Sequence, residues 1–176
     1  DLALEAVSAA FRKLGCDEAE NIPRRRCQTD QVMLHVLPAA IKTLGAIGFK
    51  AYTTSKSGAR FHVTLFDPKT GEMNAVLEAD LLGQYRTGAA SGVATKKLAR
   101  PDAGTVGCLG AGKQARTQLL AICKVRPIAS IKVFSRDAAR RQAFAEALAA
   151  ETGIPIAPAD SAEEAGSGGG AGGVSD

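Results

Sequence analysis

Apolar residues recur at every third or fourth position from Leu4 to Leu14, and Gly15 follows them, so the chain is predicted to open with an amphipathic helix. The pattern then changes to short segments with the alternation that is typical of strands. The turn sequence Asp-Pro-Lys-Thr-Gly at residues 67–71 indicates a hairpin. The strands are predicted at residues 33–37, 47–53, 61–66 and 72–78.

Residues 81–98 predict a second helix, which has small side chains on one side and can therefore pack closely against another element. After residue 100, short apolar segments alternate with helical patterns, as in a parallel sheet covered by helices. Ser161 and Glu164 have capping-box spacing for one further helical turn. The other elements are predicted as strands at 105–109, 131–134 and 154–157 and helices at 113–125 and 138–151.

These patterns predict an α/β chain with two domains. An α+β domain is expected over residues 1–100, and the first half of a doubly wound domain over residues 101–165. Six of the 19 glycines lie within residues 166–173, and such a composition cannot bury a core. Residues 166–176 are therefore expected to form a glycine-rich tail outside the fold.

The charge and cysteine content exclude several classes of protein. Lys and Arg exceed Asp and Glu by 22 to 18 in 176 residues, which does not require a nucleic-acid partner. No run approaches the roughly 18 apolar residues of a membrane span, and no leader pattern is present, so we expect a cytoplasmic protein without a membrane partner. The four cysteines form no C-x-x-C pair and have no histidine close enough for a zinc set, which favours reduced thiols and no metal.

A glycine motif lies between the first predicted parallel strand and the next helix. Its sequence is Gly110-Ala111-Gly112-Lys113-Gln114-Ala115, a G-x-G-x-x-A pattern. The first glycine permits a tight turn, the second lets the backbone approach a pyrophosphate, and the small last residue lets helix and strand pack closely. The motif predicts a nucleotide site at the helix N-terminus, and a purely structural glycine turn is the alternative.

The residues that end the next strand bear on the choice of cofactor. An acid at that position binds a ribose 2′-hydroxyl, whereas an arginine accommodates a 2′-phosphate. The sequence there is Ser135-Arg136-Asp137, with the acid last, which favours NADP(H) over NAD(H). The alternative is that Asp137 caps the following helix and Arg136 is a solvated side chain.

Several basic residues in the first domain are candidates for binding an anion. Arg24 and Arg26 alternate in an arginine run, so both can point one way from an extended segment and hold a carboxylate. Lys50 is a lone cation in an apolar strand, and next to a substrate it is a candidate acid or carbonyl-polarising group. Arg86 opens the small-residue helix, and His62 is a weaker catalytic candidate on the polar side of its strand.

Three segments together resemble the ornithine cyclodeaminase/mu-crystallin family, and the likeness runs from residue 1 to about residue 165. The resemblance implies a homodimer formed by the α+β domain, a Rossmann domain that binds NAD or NADP, and a substrate held between the domains. The segments are Gly48-Phe49-Lys50, Arg86-Thr87-Gly88-Ala89-Ala90-Ser91-Gly92-Val93-Ala94-Thr95-Lys96 and Gly107-Cys108-Leu109-Gly110-Ala111-Gly112-Lys113-Gln114-Ala115.

The resemblance also implies roles for single residues. Arg24 and Arg86 would bind the substrate carboxylate, with Arg26 as the alternative to Arg24. Lys50 would bind the substrate and act as the catalytic residue at the reacting centre. The cofactor would be bound by Arg86, Thr87, Gly110, Ala111, Gly112, Lys113, Gln114, Ser135 and Arg136.

The activity implied by the resemblance is that of an NAD(P)-dependent enzyme of amino-acid metabolism. Conversion of ornithine to proline and ammonia by internal hydride transfer is the leading expectation. The alternatives are NADPH-dependent reduction of a cyclic imine such as pyrroline-2-carboxylate, and non-catalytic binding of NADPH or a small ligand. Because the second half of the Rossmann domain has no counterpart in the sequence, we expect about half of a family member, which by itself binds cofactor weakly if at all.

Overall fold

The computed structural model describes residues 1–167 and the backbone of residues 171–175. The chain divides into two compact units, which we call the parallel unit (Asp1–Val7 with Gln84–Asp176) and the antiparallel unit (Ser8–Gly83). The expected domain boundary at residue 100 lies inside the parallel unit. The first helix, α1 (Leu2–Gly15), ends at the predicted glycine.

The antiparallel unit is built on a six-stranded sheet in which every pairing is antiparallel. The four predicted strands are present, and two short strands precede them. A 3₁₀ turn (Lys42–Leu44) connects the first two of the four predicted strands. Asp67 organises the last hairpin by accepting the backbone N–H groups of Lys69 and Thr70. The strands are β1 (Ala19–Asn21), β2 (Arg25–Gln28), β3 (Met33–Ile41), β4 (Ala46–Ser55), β5 (Gly58–Phe66) and β6 (Met73–Glu78).

Hydrogen bonding orders these strands as β1-β3-β4-β5-β6, with β2 also paired to β3. Two residues of the arginine run, Arg25 and Arg26, lie in β2 (Arg25–Gln28), a strand that the sequence pattern did not predict. These four exposed residues have no apolar alternation of their own, and they become a strand because β3 supplies the hydrogen-bonding partner.

The parallel unit contains a four-stranded parallel sheet in the order β10-β7-β8-β9, which is the doubly wound α/β arrangement predicted from the alternation. Its core is formed by large apolar residues from strands and helices, including Val106, Leu119, Ile122, Ile131 and Leu148. The elements are α2 (Asp80–Leu98), β7 (Thr105–Leu109), α3 (Lys113–Val125), β8 (Ser130–Phe134), α4 (Ala138–Thr152), β9 (Ile156–Pro158), α5 (Ala162–Gly166) and β10 (Ala171–Ser175).

The glycine-rich segment differs from its prediction. Residues 171–175 form β10, which pairs in parallel with β7, so this stretch is part of the sheet and not a tail. Strand pairing needs only backbone groups, and the open edge of β7 supplies them whatever the side chains are. Residues 168–170 and 176 of the expected tail lie outside the described residues.

Small residues allow close approaches inside the parallel unit, as the sequence of α2 predicted. A Cβ atom at Gly88 would lie 2.3 Å from the carbonyl oxygen of Thr117 in α3. In β7, a Cβ atom at Gly107 would lie 2.2 Å from the carbonyl oxygen of Ala165. Only glycine permits backbones to meet at these distances.

Candidate functional site

The glycine motif forms the turn between β7 and α3. Gly110 has φ +113°, a backbone conformation that favours glycine, and its N–H donates to the carbonyl oxygen of Phe134 at 2.7 Å. Gly112 is the N-cap of α3, with extended backbone and no side chain to accept the N–H groups of the first turn. The turn therefore presents a helix N-terminus, which favours an anion, at the carboxyl end of β7.

A cleft of about 510 Å³ opens beside this turn, where β7 and β8 end. In open α/β sheets this edge is where ligands bind. Of the predicted cofactor residues, the turn and the end of β8 contribute Gly110, Ala111, Ser135 and Arg136 to its lining. The remaining lining residues are Leu109, Phe134, Asp137, Arg140 and Ala162.

The other predicted cofactor residues in the parallel unit have different positions. Gly112 is the N-cap of α3, and Lys113 and Gln114 are the first two residues of this helix; none of the three lines the cleft. The side-chain Oε1 of Gln114 is buried and has no hydrogen-bond partner in the described part of the chain. Arg86 and Thr87 lie on α2.

The carboxylate of Asp137 serves as a helix cap. It is the N-cap of α4 and accepts the backbone N–H of Arg140 at 3.0 Å, while the hydroxyl of Ser135 donates to the Asp137 carbonyl at 3.1 Å. Sequence reasoning missed Arg140, which stands in the first turn of α4 and whose Nε donates to the Ala111 carbonyl at 3.2 Å. The feature of the sequence that could have indicated Arg140 is its position three residues after Asp137, the predicted N-cap. The cleft is therefore lined by two guanidinium groups, those of Arg136 and Arg140.

A second group of candidate residues lies on one face of the antiparallel sheet. The strand register places Arg26 opposite His35, His35 opposite Tyr52, and Tyr52 opposite Phe61. The rings of His35 and Tyr52 stack with centroids 4.2 Å apart and planes 2° apart, and those of Tyr52 and Phe61 stack with centroids 4.9 Å apart. Four adjacent strands thus contribute one side chain each to a single row.

Two further cations approach this row. The Lys50 Nζ lies 4.9 Å from the Tyr52 ring centroid and 5.0 Å from that of Phe61, and the Arg24 guanidinium carbon lies 5.8 Å from that of Tyr52. The structure therefore brings the predicted substrate residues of this unit together. We call the group the cation–aromatic cluster, defined by Arg24, Arg26, His35, Lys50, Tyr52 and Phe61.

His35 is a member of the cluster that sequence reasoning missed. It is 6% exposed, and its Nε2 lies 3.1 Å from the Thr54 hydroxyl, while Nδ1 is buried without a partner among the described residues. Burial and the charges of Arg26 and Arg24 lower the pKa of this imidazole, which favours its neutral form. Its period-two spacing with Met33 and Leu37 was the available signal that it shares a face with them.

His62 has a different environment from Lys50. It is opposite Ala51 in β4, whereas Lys50 is opposite Val63, so the two side chains leave opposite faces of the sheet. His62 therefore does not belong to the cation–aromatic cluster, and its catalytic role stays a prediction.

Two further observations concern the helices and the possible metal ligands of the described residues. None of the helices in that part of the chain is long and apolar enough to cross a bilayer. Across residues 1–167 and 171–175, no three His, Cys, Asp or Glu side chains are grouped so as to hold a metal ion. The four cysteines are free, with Cys108 buried and Cys16 and Cys27 exposed.

A parallel sheet with a glycine turn before its first crossover helix, next in sequence to an antiparallel unit, places the chain in the class of doubly wound α/β proteins with a dinucleotide-type turn. Within that class, the model of the ornithine cyclodeaminase/mu-crystallin family matches residues 1–170. The chain belongs to this family, as its three motifs predicted.

Similar proteins include reductases, dehydrogenases and cyclodeaminases. A Delta(1)-pyrroline-2-carboxylate reductase of Bacillus cereus is 35% identical over 74% of this chain and 42% of its own length. An L-lysine cyclodeaminase of Streptomyces rapamycinicus is 31% identical over 85% of this chain and 47% of its own. The chain thus spans about half the length of the curated relatives it matches.

The similar solved structures also include a reductase and a dehydrogenase, and the chain matches about half the length of each. The Delta(1)-pyrroline-2-carboxylate reductase of Thermococcus litoralis, in complex with NADH and L-proline, matches 96% of this chain and 55% of its own, with a TM-score of 0.89 and 33% identity. An archaeal alanine dehydrogenase dimer with bound NAD matches 93% of this chain and 52% of its own, with a TM-score of 0.86 and 29% identity.

Proposed function

We propose that this protein is an NAD(P)-dependent reductase of a carboxylated cyclic imine, with Δ1-pyrroline-2-carboxylate as the favoured substrate. The observation that carries the proposal is the likeness, over 96% of the chain, to a reductase of that imine in complex with NADH and L-proline. The chain's own residues supply two matching features, a cationic cluster for a carboxylate and a cleft for a dinucleotide.

The cation–aromatic cluster supports a carboxylated substrate. Arg24 and Arg26 carry guanidinium groups, which bind carboxylates through two parallel hydrogen bonds, and Lys50 adds an ammonium on the same face of the sheet. We assign the substrate carboxylate to Arg24, with Arg26 beside it, and to Arg86 as a further ligand on the strength of the family resemblance.

Lys50 is the residue that we assign to the reacting centre. The Lys50 ammonium lies beside the Tyr52 and Phe61 rings, and at that position it can polarise the imine or donate a proton to its nitrogen. In the reduction, C2 of the imine gains a hydride and its nitrogen gains a proton, which gives proline. When bound, NAD(P)H supplies that hydride.

The cleft beside the glycine turn fits the dinucleotide. Gly110, Ala111 and Gly112 let a pyrophosphate approach the backbone, and the first turn of α3, beginning with Lys113 and Gln114, presents N–H groups to it. Ser135 and Arg136 line the same cleft and provide a hydroxyl and a guanidinium for a 2′-phosphate. We therefore propose NADP(H) as the preferred cofactor, with Arg86 and Thr87 of α2 as further contacts.

Ornithine cyclodeamination is the second candidate. It is supported by the 31% identity to an L-lysine cyclodeaminase over 85% of the chain. In that reaction the substrate's own hydride is removed and returned, so NAD⁺ is not consumed. A non-catalytic binder of the same ligands is the third candidate.

The test compares two activities of the full chain. NADPH oxidation is measured with Δ1-pyrroline-2-carboxylate, and proline formation is measured with ornithine and NAD⁺. We expect the first activity, measured at an NADPH concentration high enough to offset the weak cofactor binding expected of half a Rossmann domain. We expect its loss in Lys50→Met, which keeps most of the length of the side chain and removes the charge. Proline formed from ornithine without imine reduction would favour the second candidate, and ligand binding without turnover the third.

We also propose that the antiparallel unit forms a homodimer. Leu34, Ile47 and Val76 are large apolar residues that are exposed on the sheet face opposite to Lys50. Exposed apolar residues grouped on one face are typical of interfaces. Light scattering of the full chain should give the mass of a dimer, and a monomer mass at micromolar concentration would contradict the proposal.

A further inference from the structure

Tyr52 is the residue on which the contacts of the cation–aromatic cluster converge. Its ring stacks on His35 on one side and on Phe61 on the other, and it lies within 6 Å of two cations. Among the described residues, this is the aromatic ring that combines two stacked rings with two neighbouring cationic groups. Removing this one ring would therefore separate His35 from Phe61 and Arg24 from Lys50, while Lys50 and Phe61 would still contact each other.

The position of the Tyr52 ring is fixed by the sheet. Tyr52 is paired with His35 of β3 and Phe61 of β5, so its ring is flanked by two strands in register, and β4 is an interior strand of the sheet. His35 is in turn anchored, because its Nε2 is 3.1 Å from the hydroxyl of Thr54 on β4. A ring confined in this way has little freedom to rotate or tilt.

The Lys50 ammonium lies at the seam between two rings. Its Nζ is 4.9 Å and 5.0 Å from the centroids of Tyr52 and Phe61, which are themselves 4.9 Å apart, so the three points form a nearly equilateral triangle. Both rings can attract the same charge at these distances. A lysine side chain has four rotatable bonds, and this double contact selects one region of space for its charged end.

Arg24 shares the Tyr52 ring with Lys50. Its guanidinium carbon lies 5.8 Å from the centroid, within the range of a cation–π contact. Arg24 is exposed and immediately precedes β2, so the strand pairing that begins at Arg25 does not itself fix its side chain. The Tyr52 ring therefore contacts two cations of like charge. An anion bound between these cations would reduce their mutual repulsion.

We propose that Tyr52 is a positioning residue of the carboxylate site, whose ring, stacked between His35 and Phe61, holds Lys50 and Arg24 ready for one ligand carboxylate. The inference rests on the proposed function for the identity of the ligand. The inference adds that the stacked rings of His35, Tyr52 and Phe61, and not the cations alone, determine the affinity for that ligand. The aromatic face is the required property, and the phenol hydroxyl is not.

Three variants of the full chain separate this role from a structural one. Tyr52→Leu removes the aromatic face, and Tyr52→Phe keeps it. Phe49→Leu is the matched control, since Phe49 is a half-buried aromatic residue next to Lys50 on β4 whose side chain leaves the opposite face and pairs with Phe66 at 6.0 Å. Thermal unfolding of each variant reports any general loss of stability.

The first measurement is the Kd of L-proline by calorimetry. Loss of cation–π contacts should raise the Kd roughly tenfold in Tyr52→Leu, whereas Tyr52→Phe and Phe49→Leu should stay within about twofold of the parent chain. Equal affinity of Tyr52→Leu and the parent chain would overturn the inference and leave the proposed function intact. A parent chain that binds neither L-proline nor Δ1-pyrroline-2-carboxylate would refute the proposed function, and the inference with it.

The second measurement needs no ligand and no folded Tyr52→Leu variant. Protons of the Lys50 ε-methylene group, which neighbours Nζ, should be displaced from the ordinary lysine position by the currents of the two rings, and the signal is assigned by its loss in Lys50→Arg. We expect the shift in the parent chain and in Tyr52→Phe. An ε-methylene signal at the ordinary lysine position in the parent chain would overturn the inference.

Discussion

Replacing Gly88 by alanine tests the close contact between α2 and α3. The added Cβ would lie 2.3 Å from the oxygen and 2.5 Å from the carbon of the Thr117 carbonyl, and 2.9 Å from the Thr117 Cβ. Two of these neighbours are backbone atoms of a helix, so they cannot rotate away and the helices must separate. Overpacking of this kind costs about 1–3 kcal/mol, from which the higher helix propensity of alanine recovers at most about 1 kcal/mol.

Because the contact is with backbone, we expect a net loss of about 2 kcal/mol in the free energy of unfolding. For a chain of this size each kcal/mol corresponds to about 2–4 °C, so the Tm should fall by about 4–8 °C. Urea unfolding and calorimetry measure the two quantities. Since the strain acts within the parallel unit, the stability of that unit is the quantity expected to change.

Two other glycines of the same helix provide controls. Gly83 has no atom within 4 Å of its added Cβ, so Gly83→Ala should stabilise the chain by up to about 1 kcal/mol. A Cβ atom at Gly92 would lie 2.7 Å from the Leu4 Cδ2, which is the end of a flexible side chain. The stability of Gly92→Ala should therefore lie between those of Gly88→Ala and Gly83→Ala. Equal stabilities for Gly88→Ala and Gly83→Ala would refute the close approach of α2 to α3.

Three further predictions concern the candidate sites. Arg136→Ala should raise the Kd for NADPH about tenfold with little change for NADH, as measured by fluorescence titration, and an equal loss for both cofactors would contradict the 2′-phosphate role. Folding lowers the pKa of His35 from its ordinary value of 6.5, so the unfolded chain binds a proton there at a higher pH than the folded chain does. The free energy of unfolding should therefore fall as the pH drops below about 6.5. His35→Phe should weaken this pH dependence in urea titrations, whereas the exposed control His62→Phe should keep it. Asp137→Ala should cost about 1 kcal/mol of stability, whereas Asp137→Asn should keep most of the cap; unchanged stability in both would argue against the capping role.

The parallel unit could be predicted from the sequence because its signals are local. Short apolar strands alternate there with amphipathic helices, and residues such as Gly153 and Ser161 mark helix ends by their own chemistry. The short strands could not be predicted in the same way. β2 has four exposed residues and β10 lies in a glycine-rich stretch, and each is a strand only because a partner strand offers hydrogen bonds along its edge.

The cation–aromatic cluster was only partly predictable for a related reason. Arg24, Arg26 and Lys50 are conspicuous as separate charges, but a sequence does not state which residue of one strand faces which residue of the next. The register that aligns Arg26, His35, Tyr52 and Phe61 depends on three separate strand pairings. A shift of one residue in any of them would send the side chains to opposite faces.

Asp137 shows how a single contact decides between two interpretations that the sequence left open. An acid after the second strand of a dinucleotide fold can bind a ribose hydroxyl or can cap the following helix. Its Oδ1 accepts the Arg140 N–H, so this carboxylate is already committed to the N-terminus of α4. Its negative charge is thereby paired with the helix dipole, and Ser135, Arg136 and Arg140 are the other polar residues that line the cleft. A 2′-phosphate would find a guanidinium there, which is the physical basis for expecting NADP(H) over NAD(H).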